Sequence, residues 1–260
     1  MRGLAAGLLM FFVLLAACVG VARSEERVRT GAYTLEGTPA GLVGAEAAQA
    51  IAAVLPPDGS VSWEVFVPDA YDPARPAGLI VYISPSDAGN LPRGWGLLLE
   101  ERNLIWIAAN RSGNRQVVAR RIALAVLATG AIANRYELDR DRVYLAGFSG
   151  GARVAGLLAP AYPRVFRGAL YIGGAEPLEQ TDGPRDLVAM QQNRYVFLVG
   201  SDDEVNRVIA NQVHGAYTAA GMVDSEVIVA RRTGHAIPDL KYVSGALDVL
   251  DGPATAAAEH

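Results

Sequence analysis

The chain has 260 residues, of which 51% are hydrophobic and 19% are charged, a composition that excludes disorder as the main state. The formal net charge is -4 and no run of five or more basic residues is present, so nucleic acid is not an expected partner. Cys18 is the only cysteine. It leaves no possibility of an intramolecular disulfide or a cysteine-based zinc site.

Residues 1–24 have the pattern of a secretory signal peptide, with an apolar stretch that ends in small residues. Leu15-Ala16-Ala17-Cys18 also resembles a bacterial lipobox, in which the cysteine takes a lipid. The alternatives are ordinary cleavage after Ala22 or Ser24, or an uncleaved anchor, because the uncharged stretch is just long enough to span a membrane. Each alternative places the mature protein outside the cytoplasm, as a periplasmic, lipid-attached or secreted protein.

Residues 25–58 predict a tether and an edge element, residues 59–250 one α/β domain, and residues 251–260 a tail. Within the domain, short apolar runs alternate with helical patterns, which is typical of a mostly parallel sheet with helices on both faces. The predicted strands are residues 63–67, 79–83, 104–108, 143–146, 170–172, 196–199 and 227–229. The predicted helices are residues 116–136, 152–159, 203–220 and 240–250.

A G-x-S-x-G motif, Gly147-Phe148-Ser149-Gly150-Gly151, lies between a predicted strand and a predicted helix. This is the context of a nucleophile elbow, a tight turn that projects the serine hydroxyl out of the sheet. The turn leaves no room for side chains two residues before or after the serine, which explains Gly147 and Gly151. The alternative is that Ser149 only caps the following helix.

An acid and then a histidine follow the serine, in the order that such an elbow requires. Asp202 and Asp203 come directly after the strand 196–199, at the kind of strand end where active sites of α/β sheets form. His235 lies in a turn after the strand 227–229 and is the predicted general base. Either aspartate could instead cap the next helix.

The other histidines do not suggest a metal site. His214 lies within a predicted amphipathic helix, where a surface or packing role is expected, and His260 is terminal. No pair of histidines has ligand spacing. We therefore expect neither a metal nor a cofactor.

Two backbone N–H groups are needed to stabilise an oxyanion. Gly150, directly after the serine, is expected to supply the first. The second should come from the loop after the strand 79–83, where Pro85 has no N–H. Ser86 is therefore the predicted second donor.

With these motifs, residues 60–250 resemble the α/β-hydrolase superfamily and, within it, secreted esterases of the polyhydroxyalkanoate depolymerase and feruloyl esterase type. The Gly-x-x-Asp spacing of those esterases, matched by Gly200 and Asp203, favours Asp203 over Asp202 as the acid, with Asp202 left to cap the helix. The chain departs from them in carrying Ser84-Pro85 where His-Gly is usual and in lacking their disulfide cysteines. No large lid domain is expected.

The resemblance implies an exported serine hydrolase that cleaves small or polymeric carboxylic esters through Ser149, Asp203 and His235. A peptidase on the same fold is a second possibility. A third is a non-catalytic envelope lipoprotein that uses the fold as a binding module, although the intact order of serine, acid and histidine argues against it.

Overall fold

The computed structural model describes residues 28–178 and 186–252. The predicted signal peptide with Cys18, and the end of the predicted tail with His260, lie outside the described residues. The chain divides into two compact units, one ending at Leu138 and the other beginning at Asp139.

The first unit contains four strands in the spatial order β1-β2-β4-β3. The β1–β2 and β2–β4 pairs are antiparallel and the β3–β4 pair is parallel. Every residue of β3 and β4 is buried, whereas buried and half-buried residues alternate along β2. The continuous apolar sequences of β3 and β4 thus match strands that are covered on both faces. The bounds are β1 Gly31–Gly37, β2 Val61–Val67, β3 Ala77–Ile83 and β4 Leu104–Ala109.

Four helices accompany these strands, and the longest of them was predicted at residues 116–136. It is buried almost without interruption from Ala123 to Ile132, as its apolar sequence indicates. The Trp63 indole N–H, from β2, donates to the Leu124 carbonyl oxygen at 3.2 Å. The bounds are α1 Pro39–Val43, α2 Ala45–Gln49, α3 Trp95–Arg102 and α4 Val118–Ala133.

Part of the segment predicted as a tether and an edge element is folded as a strand. Strand β1 pairs with β2 along its whole length, from Gly31 opposite Val67 to Gly37 opposite Val61. A strand of the sheet therefore lies before the predicted domain start at residue 59.

The second unit contains four strands in the order β5-β6-β7-β8, and all three neighbouring pairs are parallel. Their carboxyl ends therefore lie along one edge of this set of strands. Strand β8 has a single buried residue, as expected of a strand at the end of the set. The bounds are β5 Leu138–Phe148, β6 Gly168–Ile172, β7 Arg194–Gly200, β8 Ser225–Ala230, α5 Gly150–Ala161, α6 Leu187–Gln191, α7 Glu204–Ala219 and α8 Leu240–Asp251.

The predicted α/β class with mostly parallel strands is confirmed, since four of the six strand pairs above are parallel. Between β6 and β7, the described residues form only the five-residue α-helix α6, and no large lid is evident there. None of the helices within residues 28–178 and 186–252 combines the length and the apolar character needed to cross a membrane.

Candidate active site

Ser149 occupies a strained turn between β5 and α5. Its backbone φ of 54° and ψ of -121° form a combination that L-residues rarely adopt. The Ser149 N–H donates to the Ile172 carbonyl oxygen at the end of β6, at 2.8 Å. Since α5 begins at Gly150, the chain reverses within one residue and leaves Ser149 beyond the strand end, as predicted for a nucleophile elbow.

The two elbow glycines face each other across this turn. A Cβ atom on Gly147 would lie 2.5 Å from the Gly151 carbonyl carbon and 2.7 Å from the Ala152 nitrogen, so no side chain fits there. Gly174, beyond β6, is constrained in the same way, because its Cβ would lie 2.6 Å from the Ser149 carbonyl oxygen. Small residues therefore let three backbone segments close around the serine.

The structure brings Ser149, His235 and Asp203 together in one line of hydrogen bonds. The Ser149 hydroxyl lies 2.9 Å from His235 Nε2, and His235 Nδ1 lies 2.6 Å from Asp203 Oδ2. The His235 side chain is 43% exposed, whereas that of Asp203 is 8% exposed. The imidazole thus stands between an accessible hydroxyl and a shielded carboxylate, which is the arrangement of a serine nucleophile, a general base and an orienting acid.

Asp202 does not reach His235. Its Oδ1 accepts from the Ser201 hydroxyl at 2.8 Å, and its N–H donates to the Thr233 carbonyl oxygen at 2.9 Å. The predicted capping role of Asp202 is wrong, because α7 begins at Glu204 and its N-cap residue is Asp203. The Asp203 side chain makes no capping hydrogen bond there.

Gly200 explains how the histidine turn reaches the acid. A Cβ on this residue would lie 2.1 Å from the Thr233 carbonyl oxygen, so the turn after β8 crosses directly over the end of β7. Further hydrogen bonds join the two turns, from Ser201 N–H to the Ala230 carbonyl and from Arg232 N–H to the Ser201 hydroxyl, both at 2.8 Å. In the sequence, the only sign of this crossing is the glycine at the end of β7, Gly200.

The imidazole is also held by its apolar neighbours. The Phe148 ring lies 5.0 Å from the His235 ring at an interplanar angle of 30°. A Cβ on Gly173, whose φ is +55°, would lie 3.4 Å from His235 Nδ1.

Asn206 is a further member of the cluster that sequence reasoning missed. Its Nδ2 lies 2.8 Å and 3.0 Å from the two Asp203 carboxylate oxygens. Burial acts to raise the pKa of Asp203, but hydrogen bonds from His235 and Asn206 outweigh it and hold that pKa below its ordinary value. Asp203 is therefore ionised at neutral pH, as an acid that orients a histidine must be.

The two predicted oxyanion donors differ in what the structure shows of them. Gly150 is the first residue of α5, directly after the serine, where helix N–H groups and the positive end of the helix dipole lie. The Ser86 N–H, in the first unit, donates to the Ser84 hydroxyl oxygen at 3.1 Å. Both assignments stay predictions, and the one for Ser86 requires its N–H to exchange this partner for the oxyanion.

A cavity of about 450 Å³ lies between residues of α5, which follows Ser149, and of α7, which follows Asp203. Its walls come from α5, from residues 175–177 and from α7 residues after Asn206, including Ile209 and Val213. Arg153 and Glu176 give it a polar part, where burial raises the pKa of Glu176 although the charge of Arg153 opposes the shift. Within the described residues, no three histidine, cysteine or acidic side chains are grouped to hold a metal.

The fold that these elements form is that of the α/β-hydrolases. The family described as Esterase PHB depolymerase matches residues 102–179, a stretch that includes Ser149 and both elbow glycines. The resemblance to that type of esterase is confirmed there. No curated protein sequence matches the chain significantly.

Solved structures with the same fold include both peptidases and esterases. A Bacteroides ovatus protein assigned as a dipeptidyl aminopeptidase IV has a TM-score of 0.57 at 14% identity, covering 87% of this chain and 36% of its own. Porphyromonas gingivalis dipeptidyl peptidase 4 has a TM-score of 0.52 at 14% identity, covering 75% and 34%. Thermogutta terrifontis esterase 2 has a TM-score of 0.51 at 15% identity, covering 74% and 87%. The chain thus spans about a third of the two peptidases and most of the esterase.

Proposed function

We propose that this protein is a serine hydrolase that cleaves carboxylic esters through an acyl-enzyme on Ser149. The observation that carries the proposal is the line of hydrogen bonds from the Ser149 hydroxyl through His235 to Asp203, at 2.9 and 2.6 Å. It is supported by the strained backbone of Ser149 and by the esterase family that matches this stretch of the chain.

In the first half of the reaction, Ser149 Oγ attacks the ester carbonyl carbon while His235 Nε2 takes the hydroxyl proton. The negative charge on the carbonyl oxygen would be stabilised by the Gly150 N–H and, as predicted, by that of Ser86. Asp203 holds the imidazole through Nδ1–H and stabilises the imidazolium. When the tetrahedral intermediate collapses, Nε2–H returns its proton to the leaving alkoxide, which departs as an alcohol.

In the second half, a water molecule attacks the acyl carbon and gives its proton to His235 Nε2. Collapse of the second tetrahedral intermediate breaks the bond to Ser149 Oγ, which takes the proton back. The carboxylic acid leaves and the enzyme is regenerated. The exposed His235 edge gives water the access that this step needs.

Labelling with a fluorophosphonate probe tests the proposal directly. We expect one probe group per chain, located on Ser149 by mass spectrometry of peptides, and no labelling of Ser149→Ala. Ser60→Ala serves as the control, because it removes an exposed serine hydroxyl of the first unit. Equal labelling of Ser149→Ala, or no labelling of the folded protein, would refute the serine mechanism and favour the binding-module alternative.

The peptidase alternative is separated by the leaving group. The dipeptidyl peptidase structures with this fold keep it open as a second candidate, and the same hydrogen-bonded line could serve an amide. Turnover of short p-nitrophenyl esters should exceed that of matched p-nitroanilides by more than the ratio of their reactivities in water. A preference for the anilides would reverse the assignment.

We propose in addition that the protein is exported and attached to a membrane through lipid on Cys18. The support is the apolar N-terminal stretch and the Leu15-Ala16-Ala17-Cys18 sequence. The mature protein should partition into detergent, and Cys18→Ser should release it or block its processing. An unmodified N-terminus at Arg23 or Glu25 would show ordinary cleavage instead.

A further inference from the structure

Asn206 stands one helical turn after Asp203 and faces the same cluster. Its Nδ2 lies 2.8 Å from Asp203 Oδ1, 3.0 Å from Asp203 Oδ2 and 3.1 Å from His235 Nδ1. Residues three apart on a helix are neighbours on its surface. The N-cap residue and the first turn of α7 therefore present the acid and the amide side by side.

The three distances have one consistent assignment of protons. His235 Nδ1 is 2.6 Å from Asp203 Oδ2, so its proton lies toward that oxygen, and Asn206 Nδ2 points its own protons at the carboxylate. Two donors, the imidazole N–H and the amide, then converge on one carboxylate. The 3.1 Å separation of Nδ1 and Nδ2 is a contact between two donors that share an acceptor.

Asp203 has few other donors in this position. Its side chain is 8% exposed, and the backbone N–H of Asn206 also helps to lower its pKa, although the side chain forms no capping hydrogen bond to its own helix. A shielded carboxylate that loses a donor bears the cost of the unmade hydrogen bond. The amide of Asn206 is thus the group that fixes both carboxylate oxygens while leaving Oδ2 directed at the imidazole.

We propose that Asn206 is a positioning residue, which holds the Asp203 carboxylate in the orientation that accepts the His235 Nδ1–H. It acts through Asp203 and touches neither the nucleophile nor the ester. The kinetic part of this inference rests on the proposed hydrolase function. The orientation itself is a property of the resting protein and can be measured without turnover.

The charged residues around the cluster do not take over this role. Within the described part of the chain, Asp203 is the only charged residue that forms an ion pair with His235. The turn before α7, the start of that helix and the turn that carries the histidine hold the other charged side chains, which are Asp202, Glu204, Arg207, Arg231, Arg232 and Asp239.

Proton NMR of the histidine rings is the direct test, and the chain has only three histidines to assign. In the wild type we expect a far-downfield Nδ1–H signal that disappears in His235→Ala. Asn206→Leu, similar in size but without a donor, should shift this signal upfield and speed its exchange with water. As the pH is lowered, the signal of the variant should also disappear at a higher pH than that of the wild type. The reason is that the pKa of Asp203 rises when a donor to its carboxylate is removed, so the carboxylate is protonated sooner.

The kinetic arm uses the same variants on a short p-nitrophenyl ester. Asn206→Leu should lower kcat by about 10- to 100-fold with little change in KM, since the reacting groups remain but are less well oriented. Asn206→Asp, which points a second carboxylate at Asp203, should lose more. Asn206→Gln keeps the amide and should recover part of the loss.

Asn211→Leu is the matched control. Asn211 is also on α7, but it is exposed and its Nδ2 donates only to the Arg207 carbonyl oxygen of the same helix. Folding of every variant is checked by circular dichroism. An unchanged Nδ1–H signal in both Asn206→Leu and Asn206→Asp would overturn the inference, and so would equal losses in Asn206→Leu and Asn211→Leu. A wild type without esterase activity whose signal still depends on Asn206 would refute the hydrolase function and leave the positioning role intact.

Discussion

Two polar regions of the molecule are built in opposite ways. In the second unit, side chains contact side chains, and the His235 ring between Ser149 and Asp203 is 43% exposed. In the first unit, the buried Arg121 of α4 donates to backbone carbonyls, through Nε to Ser112 at 2.8 Å and through a terminal nitrogen to Ser84 at 3.0 Å. The region around His235 displays reactive groups, whereas the region around Arg121 fixes the path of two loops.

Further bonds in the first unit serve the same purpose as Arg121. Asp87 Oδ1 accepts from the Gly113 N–H at 2.9 Å, and the Asn114 N–H donates to the Pro85 carbonyl oxygen at 2.9 Å. A Cβ on Gly113 would lie 2.7 Å from the Asp87 nitrogen, so the loops touch without space for a side chain. Hydrogen bonds from the Gly113 N–H and from Gln116 lower the pKa of Asp87.

The contrast teaches which changes should affect activity alone and which should affect stability. Truncation of Ser149 removes only its hydroxyl contact with the part-exposed His235, whereas loss of Arg121 removes a charged donor from two carbonyl oxygens. We therefore expect substitutions of Ser149, His235 and Asp203, the triad region, to lower activity much more than stability. Substitutions in the loop region around Arg121 and Asp87 should lower stability more than activity.

The largest expected effect is the loss of the nucleophile or the base. Ser149→Ala and His235→Ala should each lower kcat by a factor on the order of 10⁶, because members of a triad act as a unit. Ser149→Ala should leave the unfolding temperature nearly unchanged, whereas His235→Ala should lower it, since the shielded Asp203 carboxylate loses a donor. The double variant should be little worse than either single one. Kinetic losses that multiply in the double variant would mean that the two residues act independently.

The next effect separates the two neighbouring aspartates. Asp203→Asn should lower kcat by roughly 10⁴, because an amide favours the wrong histidine tautomer. Asp202→Asn is the matched control, and it should leave kcat almost unchanged, since its carboxylate bonds to Ser201 and not to His235. Similar losses in both variants, measured on the same ester, would contradict the assignment of the acid.

A smaller effect tests whether the loop region takes part in catalysis. Ser86→Pro removes the predicted oxyanion N–H and should lower kcat by about 10²- to 10³-fold. Ser84→Ala removes the hydroxyl that now accepts from this N–H but leaves the donor in place, so kcat should be retained. If both variants fold and have wild-type kcat, the second donor lies elsewhere.

The smallest expected effect on turnover accompanies the largest loss of stability. Arg121→Met should lower the free energy of unfolding by about 3 kcal/mol, because two buried carbonyl oxygens lose a charged donor. Arg120→Met, a change at the adjacent position that is half-buried, should cost less than about 0.5 kcal/mol. Urea unfolding measures both, and equal values would show that the Arg121 bonds do not stabilise the loops.

Local sequence determined much of this protein. The seven predicted strands and four predicted helices each correspond to an observed element, because apolar runs and helical periods record burial within a few residues. The elbow around Ser149 could also be predicted, since its strained turn requires glycines at fixed spacing. The strand β1 left a weaker signal in the alternation of buried Tyr33 and Leu35 with exposed neighbours.

Only the tertiary structure decided the contacts between distant residues. The resemblance to known esterases favours Asp203 over Asp202, but the contact of Asp203 with His235 depends on where α7 begins and on a turn about 30 residues later that crosses Gly200. Asn206 belongs to no sequence motif, and its role became visible only when Asp203 and His235 were placed beside it. Residue types and spacing fix which groups the chain carries. Loop paths and helix starts, which depend on long-range packing, fix which of those groups meet.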